Sequence, residues 1–490
     1  MLVETILRQA GIKPNFTAVM DQVRSVTYKE LYDEILSRAE MLSDFVAENG
    51  EPVGLLFPNS VDAVTWMLAM AKTGHPVILF GSKMKENEVN YHINRIGLKL
   101  TIADRRIVTG WNGLNQTLYP FSGADNSVAL KHPRELNRQE EEKFTAFEKG
   151  DFICHFTSGS EGEPKAVIRT LEAVESEIID TFVTINLKDE QTFLTIPPIC
   201  HSFGLIAGAL LPLYYGHKLI LEEEFLPEKI LNIIDTNKVN VLFAVPYMYY
   251  LLNKRLKLTK MDFSSITMCF SAGAPMDDSV SETFRQFTGV RIIQDYGSTE
   301  TGVMCLNLET DRLPKSVGRP VVNRTIKLMD EEGKEINTNE ESGEICILSK
   351  ANVRTYLYPQ ELNRQKFIDG YFRTGDLGRL GQEGEVYIVG RLSSIMNVAG
   401  NKVDPVEVEN VIKSISGVKE AVVVCIDDIN RGSIIKAYVV AEEDIEEAFV
   451  KKFCKTQMAD YKVPKAVVFM NELPRSQTGK VLKKYLVKEF

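Results

Sequence analysis

Four short stretches of this 490-residue chain gather hydroxyl residues, glycines and charges of the kind that handle phosphates. Residues 156–166, FTSGSEGEPKA, follow an apolar run at 152–156. Small residues let a backbone approach an anion, and exposed N–H groups cradle phosphate oxygens. The stretch is not a G-x-x-x-x-G-K-[ST] loop, and taken alone it reads equally well as a flexible surface loop. Residues 295–302, DYGSTETG, come after the apolar run 290–293. A tyrosine stacks on a purine and Glu300 suits a divalent cation; a strand-ending turn with a solvated acid is the plainer alternative. Residues 371–376, YFRTGD, with Gly390 and Arg391 a strand later, offer a carboxylate for ribose hydroxyls and a guanidinium for phosphate or ribose oxygen, or else a surface ion pair. Residues 473–480, LPRSQTGK, set a lysine on a glycine turn in a basic tail. It is either a solvated cation or a mobile one that neutralises a transferring phosphoryl group.

These stretches need a scaffold. Apolar runs at 53–57, 76–80, 191–196, 218–222, 241–245 and 266–271 read as buried strands, with helical stretches such as 61–72 between them. Strand–helix alternation predicts an α/β fold with helix-covered parallel sheets. From residue 317, short strands at 325–329, 344–348 and 385–389 separated by Gly/Asp/Glu turns predict a small β subdomain, about 317–391. Beyond it, a helix at 406–415, strands at 421–426 and 434–440, a helix at 443–455 and a strand at 466–470 predict a separate α+β unit. The expected domains are therefore a large lobe, 1–391, and a small mobile lobe, 392–490, with the boundary at 391–394. No internal repeat is visible.

Composition excludes several classes. Charged residues at 25% and hydrophobic residues at 44% are ordinary globular usage, which rules out a disordered chain or a rod. The net charge of −10 argues against a general nucleic-acid binder. Seven cysteines without a C-x-x-C pair read as free thiols of a reducing compartment, and six histidines without H-E-x-x-H predict no zinc site. The N-terminal residues do not form a signal peptide. The most apolar stretch, 203–216, is too short to span a bilayer and contains Pro212. A cytoplasmic protein without a membrane span is expected.

In this order and over this span, the four stretches resemble those of the class I adenylate-forming superfamily, which includes acyl- and aryl-CoA synthetases, stand-alone adenylation domains and firefly luciferase. The resemblance runs from about residue 28 to residue 484. It implies ATP and Mg²⁺ as cofactors, with coenzyme A or a carrier-protein phosphopantetheine as acceptor. It places Thr157, Ser158, Gly159, Ser160 and Lys165 at the ATP phosphates and Ser271, Ala272, Gly273, Ala274 and Pro275 beside adenine, with Asp295, Tyr296, Gly297 and Ser298 opposite. It gives Glu300 the metal and Thr299 the α-phosphate. Asp376 takes the ribose, Arg391 supports that grip, and Lys480 bridges the acyl carboxylate and α-phosphate. The catalytic set is then Lys480, Glu300, Thr157 and, as a bolder assignment, His201, which otherwise packs beside the pocket. Ser393 marks the hinge and Gly400 the thiol tunnel.

The chain departs from the family pattern. Glu161 stands in the phosphate loop where a threonine is usual, Ala166 replaces a glycine, Ser393 replaces a charged hinge residue, and Asn397 stands where lysine is frequent. The segment 197–204, PPICHSFG, matches the one that positions the acid and lacks the aspartate of amino-acid-activating members. With Cys200, His201, Ser202, Val245, Tyr247 and Ser271 as the acyl pocket, the expected substrate is an aryl or a short to medium aliphatic acid, with longer chains still open. The expected reaction makes acyl-AMP and pyrophosphate, then a thioester. The rivals are a stand-alone enzyme that loads a separate acyl- or peptidyl-carrier protein, and a non-catalytic acyl- or nucleotide-binding relative.

Overall fold

The ten strands that carry or flank the candidate residues are β1 (Asp151–Thr157), β2 (Lys165–Thr170), β3 (Thr192–Thr195), β4 (Val241–Phe243), β5 (Met268–Ser271), β6 (Ile292–Ser298), β7 (Gly302–Leu306), β8 (Thr355–Tyr358), β9 (Tyr371–Leu380) and β10 (Val386–Arg391). Two of the helices between them are α1 (Leu171–Ile185) and α2 (Pro246–Leu256). The structure, a computed structural model, describes all residues except 1, 47–49, 112–116, 121–125, 133–146, 158–164, 188–189, 259–260, 331, 337, 339–340, 393–395, 399–400, 404, 429–431, 443–444, 476–480 and 488–490. Ser158, Gly159, Ser160, Glu161, Ser393, Gly400 and Lys480 therefore lie outside the described residues.

The first sheet runs Arg319–Pro320, β7, β6, β5, β4, β3, Lys218–Leu221, Thr17–Met20, Ser25–Thr27. The second runs β8, β2, β1, Val77–Gly81, Val53–Phe57, Leu100–Asp104, Ser127–Lys131, Thr117–Pro120. In the first sheet, strands β3 to β6 are parallel and β7 turns back antiparallel. In the second, β1 is parallel to Val77–Gly81, while β2 and β8 turn back. The expected parallel sheets are parallel at their centres and mixed toward their edges. The reason is connection length: residues 158–164 and 299–301 are too few for a crossover helix, so each closes a hairpin.

Register in the first sheet is fixed by an aromatic ladder. Phe193, Phe243 and Phe270 occupy neighbouring parallel strands, with ring centroids 6.2 and 4.9 Å apart. All three are buried, and each contributes about 1.5–3 kcal/mol of burial. A one-residue slip would break the ladder and every strand end beyond it. Helix α1 is capped by Thr170 Oγ, which accepts from Ala173 N at 3.1 Å. It buries Val174, Ile178 and Ile185, and also Glu175, Glu177 and Asp180.

The apolar run 290–293 enters a strand only at Ile292, and that strand continues through the polar residues to Ser298, because those residues pair with the apolar strand β7. The helix expected at 443–455 begins at Glu447, since Glu446 is still extended. The stretch 203–216 is a π-helix, Phe203–Leu210, followed by a short α-helix, Leu211–Tyr214, with Pro212 tolerated in its first turn.

The chain divides into two compact units, residues 1–326 with 347–373, and residues 327–346 with 374–490. The second unit contains most of β9 and β10, the hairpin Val418–Asp428 with Gly432–Ala441, and Ala466–Phe469 parallel to the latter. About half of the β-rich segment 317–391 thus shares a unit with the C-terminal residues. The 391/392 boundary concerns a pivot, which is taken up under the proposed function. No helix among the described residues is long and apolar enough to cross a membrane.

Candidate active site

In open α/β sheets, ligands bind beyond the carboxyl ends of the parallel strands. Here β3, β4, β5 and β6 are consecutive neighbours, with Thr195 opposite Phe243, Phe243 opposite Phe270 and Phe270 opposite Ile293. Their ends lead into the acid segment 197–204, Val245 and Tyr247, Ser271 to Pro275, and Asp295 onward. One sheet edge thus gathers every expected acyl-pocket residue together with the adenine-side segments. Ser271 is buried, and its Oγ has no hydrogen-bond partner. Gly273, Ala274 and Pro275 are exposed. Val245 is buried at the entry to α2, while Tyr247 is exposed and stacks on Tyr250 at 6.0 Å.

The hairpin β6–β7 carries the acidic strip. Asp295 is buried, and burial first, then the charge of Glu177, pushes its carboxyl well above the ordinary range. The turn is laced by its own hydroxyls: Ser298 N donates to Thr301 Oγ1 at 3.2 Å, and the two hydroxyl oxygens lie 3.1 Å apart. Tyr296, Ser298, Thr299 and Glu300 are half-buried and Gly297 is exposed. Glu300 Oε1 accepts from the Tyr356 hydroxyl at 3.1 Å, and its carbonyl accepts from Val353 N at 2.7 Å. Tyr356 stands on β8, in the second sheet, so the two sheets meet at this carboxylate.

The second sheet supplies the cationic side. Thr157 ends β1 and Lys165 starts β2 directly opposite it, both half-buried. They frame residues 158–164.

The acid segment is held from beneath. Asn59 Nδ2 donates to the carbonyl of Pro197 at 3.1 Å, and Asn59 Oδ1 accepts from Ile199 N at 2.8 Å. A Cβ at Gly204 would meet the carbonyls of Pro197 and Pro198 at 2.5 and 2.6 Å, so only glycine lets the π-helix seat against them. Cys200 is half-buried, and burial with the charge of Glu223 pushes its thiol up to about 12, so it is no thiolate nucleophile. His155 Nδ1 donates to the Cys200 carbonyl at 3.0 Å, and burial pushes this imidazole down to about 3. His201 keeps an opening to solvent, while desolvation by the protein around it lowers its pKa below 6.5. A neutral imidazole can accept a proton, yet a lowered pKa makes it a weak base. Ser202 is buried and takes a 3.4 Å contact from Arg169 Nη1.

In the second unit Asp376 and Arg391 are directly opposite across β9 and β10, with Nε 3.3 Å from Oδ1. Asp376 N is held by Thr374 Oγ1 at 3.0 Å. The pair read from the sequence is therefore a cross-strand pair, with Arg391 exposed and Asp376 half-buried.

Sequence reasoning missed Tyr356, His155, Arg169 and Glu177. Arg169 and Glu177 left a signal: an arginine inside the apolar run of β2, and an acid beside Ile178 on the buried face of α1. Tyr356 left none, because its role depends on two sheets meeting.

No group of three or more His, Cys, Asp and Glu that could hold a metal exists among the described residues. A single hydrogen-bonded carboxylate still fits Mg²⁺, which keeps several waters and binds through one or two carboxylates plus substrate phosphates. The donor chemistry at Glu300 therefore suits that ion.

A 2-succinylbenzoate–CoA ligase of Listeria monocytogenes is 26% identical over 481 residues, covering 97% of this chain and 96% of that protein. A long-chain-fatty-acid–CoA ligase of Mycobacterium tuberculosis is 27% identical over 495 residues, covering 99% and 98%. The solved o-succinylbenzoate–CoA synthetase of Bacillus subtilis, in complex with its acyl-adenylate intermediate, superposes with a TM-score of 0.82 at 23% identity, covering 99% and 98%, and so shares the fold. The family model described as AMP-binding enzyme matches residues 6–357 and that of its C-terminal domain matches 407–480, so the chain belongs to the AMP-binding, class I adenylate-forming enzymes.

Proposed function

We propose that this chain, an AMP-forming acid–thiol ligase, activates an aryl or a short to medium aliphatic carboxylic acid and passes it to coenzyme A. What supports the reading most is the meeting of the acid segment, Ser271 and the Glu300 hairpin on one edge of parallel strands. Of the acids named for the two relatives, 2-succinylbenzoate carries an aryl ring and falls within that range, and a long-chain fatty acid lies beyond it.

In the first half-reaction a carboxylate oxygen attacks the α-phosphorus, the α–β anhydride bond breaks and pyrophosphate leaves with the electron pair. Both reactants are anions, so the site must offset repulsion and hold an in-line geometry. Thr157, Ser158, Gly159, Ser160 and Lys165 donate to the β- and γ-phosphates. Ser271 to Pro275 and Asp295 to Thr299 hold the adenosine and α-phosphate. Asp376, steadied by Arg391, takes the ribose hydroxyls. Glu300 would hold Mg²⁺, which would offset phosphate charge. Lys480 touches both the acid and the α-phosphate. In the second half-reaction the thiol sulfur attacks the acyl carbonyl carbon, loses its proton, and AMP departs. Lys480 would stand in the thiol's path, so residues 392–490 must turn about Ser393, which brings Gly400 to the tunnel. Seven cysteines free of disulfides suit a cytoplasmic setting. A separate carrier protein is the alternative acceptor.

The test is ATP–pyrophosphate exchange against a panel of acids, followed by thioester formation with coenzyme A. Exchange without thioester formation would assign the chain to carrier loading, and no exchange with any acid would overturn the reading. Within it, Lys480→Ala is expected to slow acyl-AMP formation about a hundredfold or more and to spare conversion of supplied acyl-AMP with thiol. Equal loss in both half-reactions would remove Lys480 from its role.

A further inference from the structure

Strand β1 carries a histidine where its neighbours call for an apolar residue. Phe152, Ile153 and Cys154 are buried, and His155 after them is 1% exposed. Its Nδ1 donates to the Cys200 carbonyl at 3.0 Å, while Nε2 has no hydrogen-bond partner. A buried polar atom left without a partner costs about 1–3 kcal/mol. Phenylalanine or leucine would fill the place without that cost, so the one bond it makes is the reason for an imidazole here. A carbonyl oxygen only accepts, so the ring proton sits on Nδ1. Burial first, then the charge of Arg169, holds the ring neutral.

The two ends of this bond belong to the elements that hold the two reactants. His155 stands two residues before Thr157, so both side chains lie on one face of β1, about 7 Å apart along the strand. Thr157 opens the stretch placed at the ATP phosphates. Cys200 stands in the acid segment, which follows β3 in the other sheet. Phe156, on the opposite face of β1, stacks against His92 and Phe80 with centroids 3.8 and 5.5 Å apart, which pins the strand from behind. Asn59 also holds the acid segment, at Pro197 and Ile199. It reaches the segment from the turn between the strand Val53–Phe57 and the helix Val61–Lys72, which leads to no phosphate residue. His155 is thus the link between the acid segment and the strand that enters the phosphate stretch.

We propose that His155 is a positioning residue for the first half-reaction: through the Cys200 carbonyl it sets the register of the bound acid against the bound triphosphate. This rests on the adenylating activity proposed above. His155 touches neither reactant. Adenylation must align two separate molecules, and a displacement of about 1 Å can cost about a hundredfold in rate. The thiol step starts from acyl-AMP, in which acid and phosphate are already joined, so it does not need that alignment.

The test compares both half-reactions in two variants, with the acid that the wild type exchanges best. His155→Phe keeps a ring and loses the donor, while His155→Asn offers an amide Nδ2 in place of Nδ1. His155→Phe is expected to lower kcat for ATP–pyrophosphate exchange about tenfold or more and to leave the KM for acid and for ATP within about twofold. It is expected to convert supplied acyl-AMP with thiol at close to the wild-type rate. His155→Asn is expected to recover most of the exchange rate. Equal loss in both half-reactions, a loss confined to the KM for the acid, or an Asn variant no better than the Phe variant would each overturn the proposal and leave the adenylating activity standing. Absence of exchange by the wild type with every acid would overturn both. Where His155→Phe does not fold, His155→Met, also without a donor, takes its place. Failure of both to fold would make the contact a structural one and overturn the proposal.

Discussion

Two hairpins of the large unit are built alike and framed by different residues. β1–β2 and β6–β7 each begin as the last parallel strand of a sheet, turn back antiparallel and are followed by an antiparallel edge strand, β8 in one and Arg319–Pro320 in the other. The first frames residues 158–164 with a threonine and a lysine, Thr157 and Lys165. The second closes over residues 299–301 and presents Asp295 and Glu300. One hairpin thus offers donors for phosphate oxygens, and the other offers oxygens for a cation and for hydroxyls. Under the proposed function the same backbone device would serve a Mg²⁺–triphosphate from both sides, because that ligand has both signs of charge. Only the residues at the turns decide which sign each side takes.

The comparison is broken most severely by removing the acceptor side. Glu300→Gln keeps the shape and the contact with Tyr356 but loses the charge. Exchange activity is expected to fall about a hundredfold or more, the usual effect of losing one preorganised charge partner. The fall should shrink as Mg²⁺ concentration rises, and the unfolding temperature should barely move. A loss that is insensitive to Mg²⁺ would mean that Glu300 does not hold the metal.

The likeness of the two hairpins was hidden in the sequence. Helix 61–72 and the strand at 53–57 were legible because period and burial agree there, and the structure places them at those residues. The run 152–156 was legible as apolar, and it lies in the strand Asp151–Thr157. Residues 295–298 were not, because D-Y-G-S has no strand pattern; it is extended only because Gly302–Leu306 lies beside it. The four chemical stretches could be read from residue types, since phosphate and ribose chemistry needs those types. The direct opposition of Asp376 and Arg391 could be foreseen only as a nearby pair. The Tyr356–Glu300 contact joins two sheets, and Arg169–Glu177 joins a strand to the helix after it. Such contacts follow from packing between elements, which local patterns do not encode. The two sheets also share an arrangement with no repeat in the residues, since topology constrains hydrogen bonding far more than side chains.

Glycine at the second turn sharpens the difference at smaller cost. Gly302 has φ +66°, and a Cβ there would meet Glu177 Oε2 at 2.2 Å. Gly273 is also left-handed, at φ +87°, but has nothing within 4 Å of the added atom. Gly273→Ala pays backbone strain alone, about 1 kcal/mol. Gly302→Ala adds displacement of a buried carboxylate and should cost about 3 kcal/mol or more. Denaturant titration of the two variants checks the order. Equal losses would show that the Glu177 side chain moves aside freely.

On the donor side, Glu161 is the residue out of character, an acid among phosphate-binding residues. It lies outside the described residues, so charge alone sets the expectation. Two unit charges at about 4 Å cost about 1 kcal/mol in water and about 4 kcal/mol at an effective dielectric of 20. With Mg²⁺ offsetting part of the triphosphate charge, the lower value applies, and about 1.4 kcal/mol is tenfold in affinity. Glu161→Thr is expected to lower the KM for ATP severalfold without changing the preference among acids. A raised KM would make the carboxylate a positive part of the site, and the first hairpin would then carry both signs of charge, which ends the contrast.

The smallest effect is expected where the two sheets touch. Tyr356 donates to Glu300 Oε1 at 3.1 Å, so it orients the carboxylate. A neutral donor to a charged acceptor is worth about 1.5–3 kcal/mol when fully buried. Glu300 is only half-buried, and a carboxylate released by Tyr356→Phe can still turn toward a cation. The cost should therefore sit near or below the lower bound, which is about tenfold or less in the Mg²⁺ concentration giving half-maximal exchange. The rate at saturating Mg²⁺ should return close to that of the wild type, because the metal itself then orders the carboxylate. The measurement is exchange rate against Mg²⁺ at fixed ATP for Tyr356→Phe and wild type side by side. A shift in the midpoint with the plateau retained assigns Tyr356 to positioning the acceptor hairpin. A lowered plateau with the midpoint unmoved would mean that Tyr356 serves packing between the sheets, and that the acidic hairpin holds its geometry through its own hydroxyl lacing.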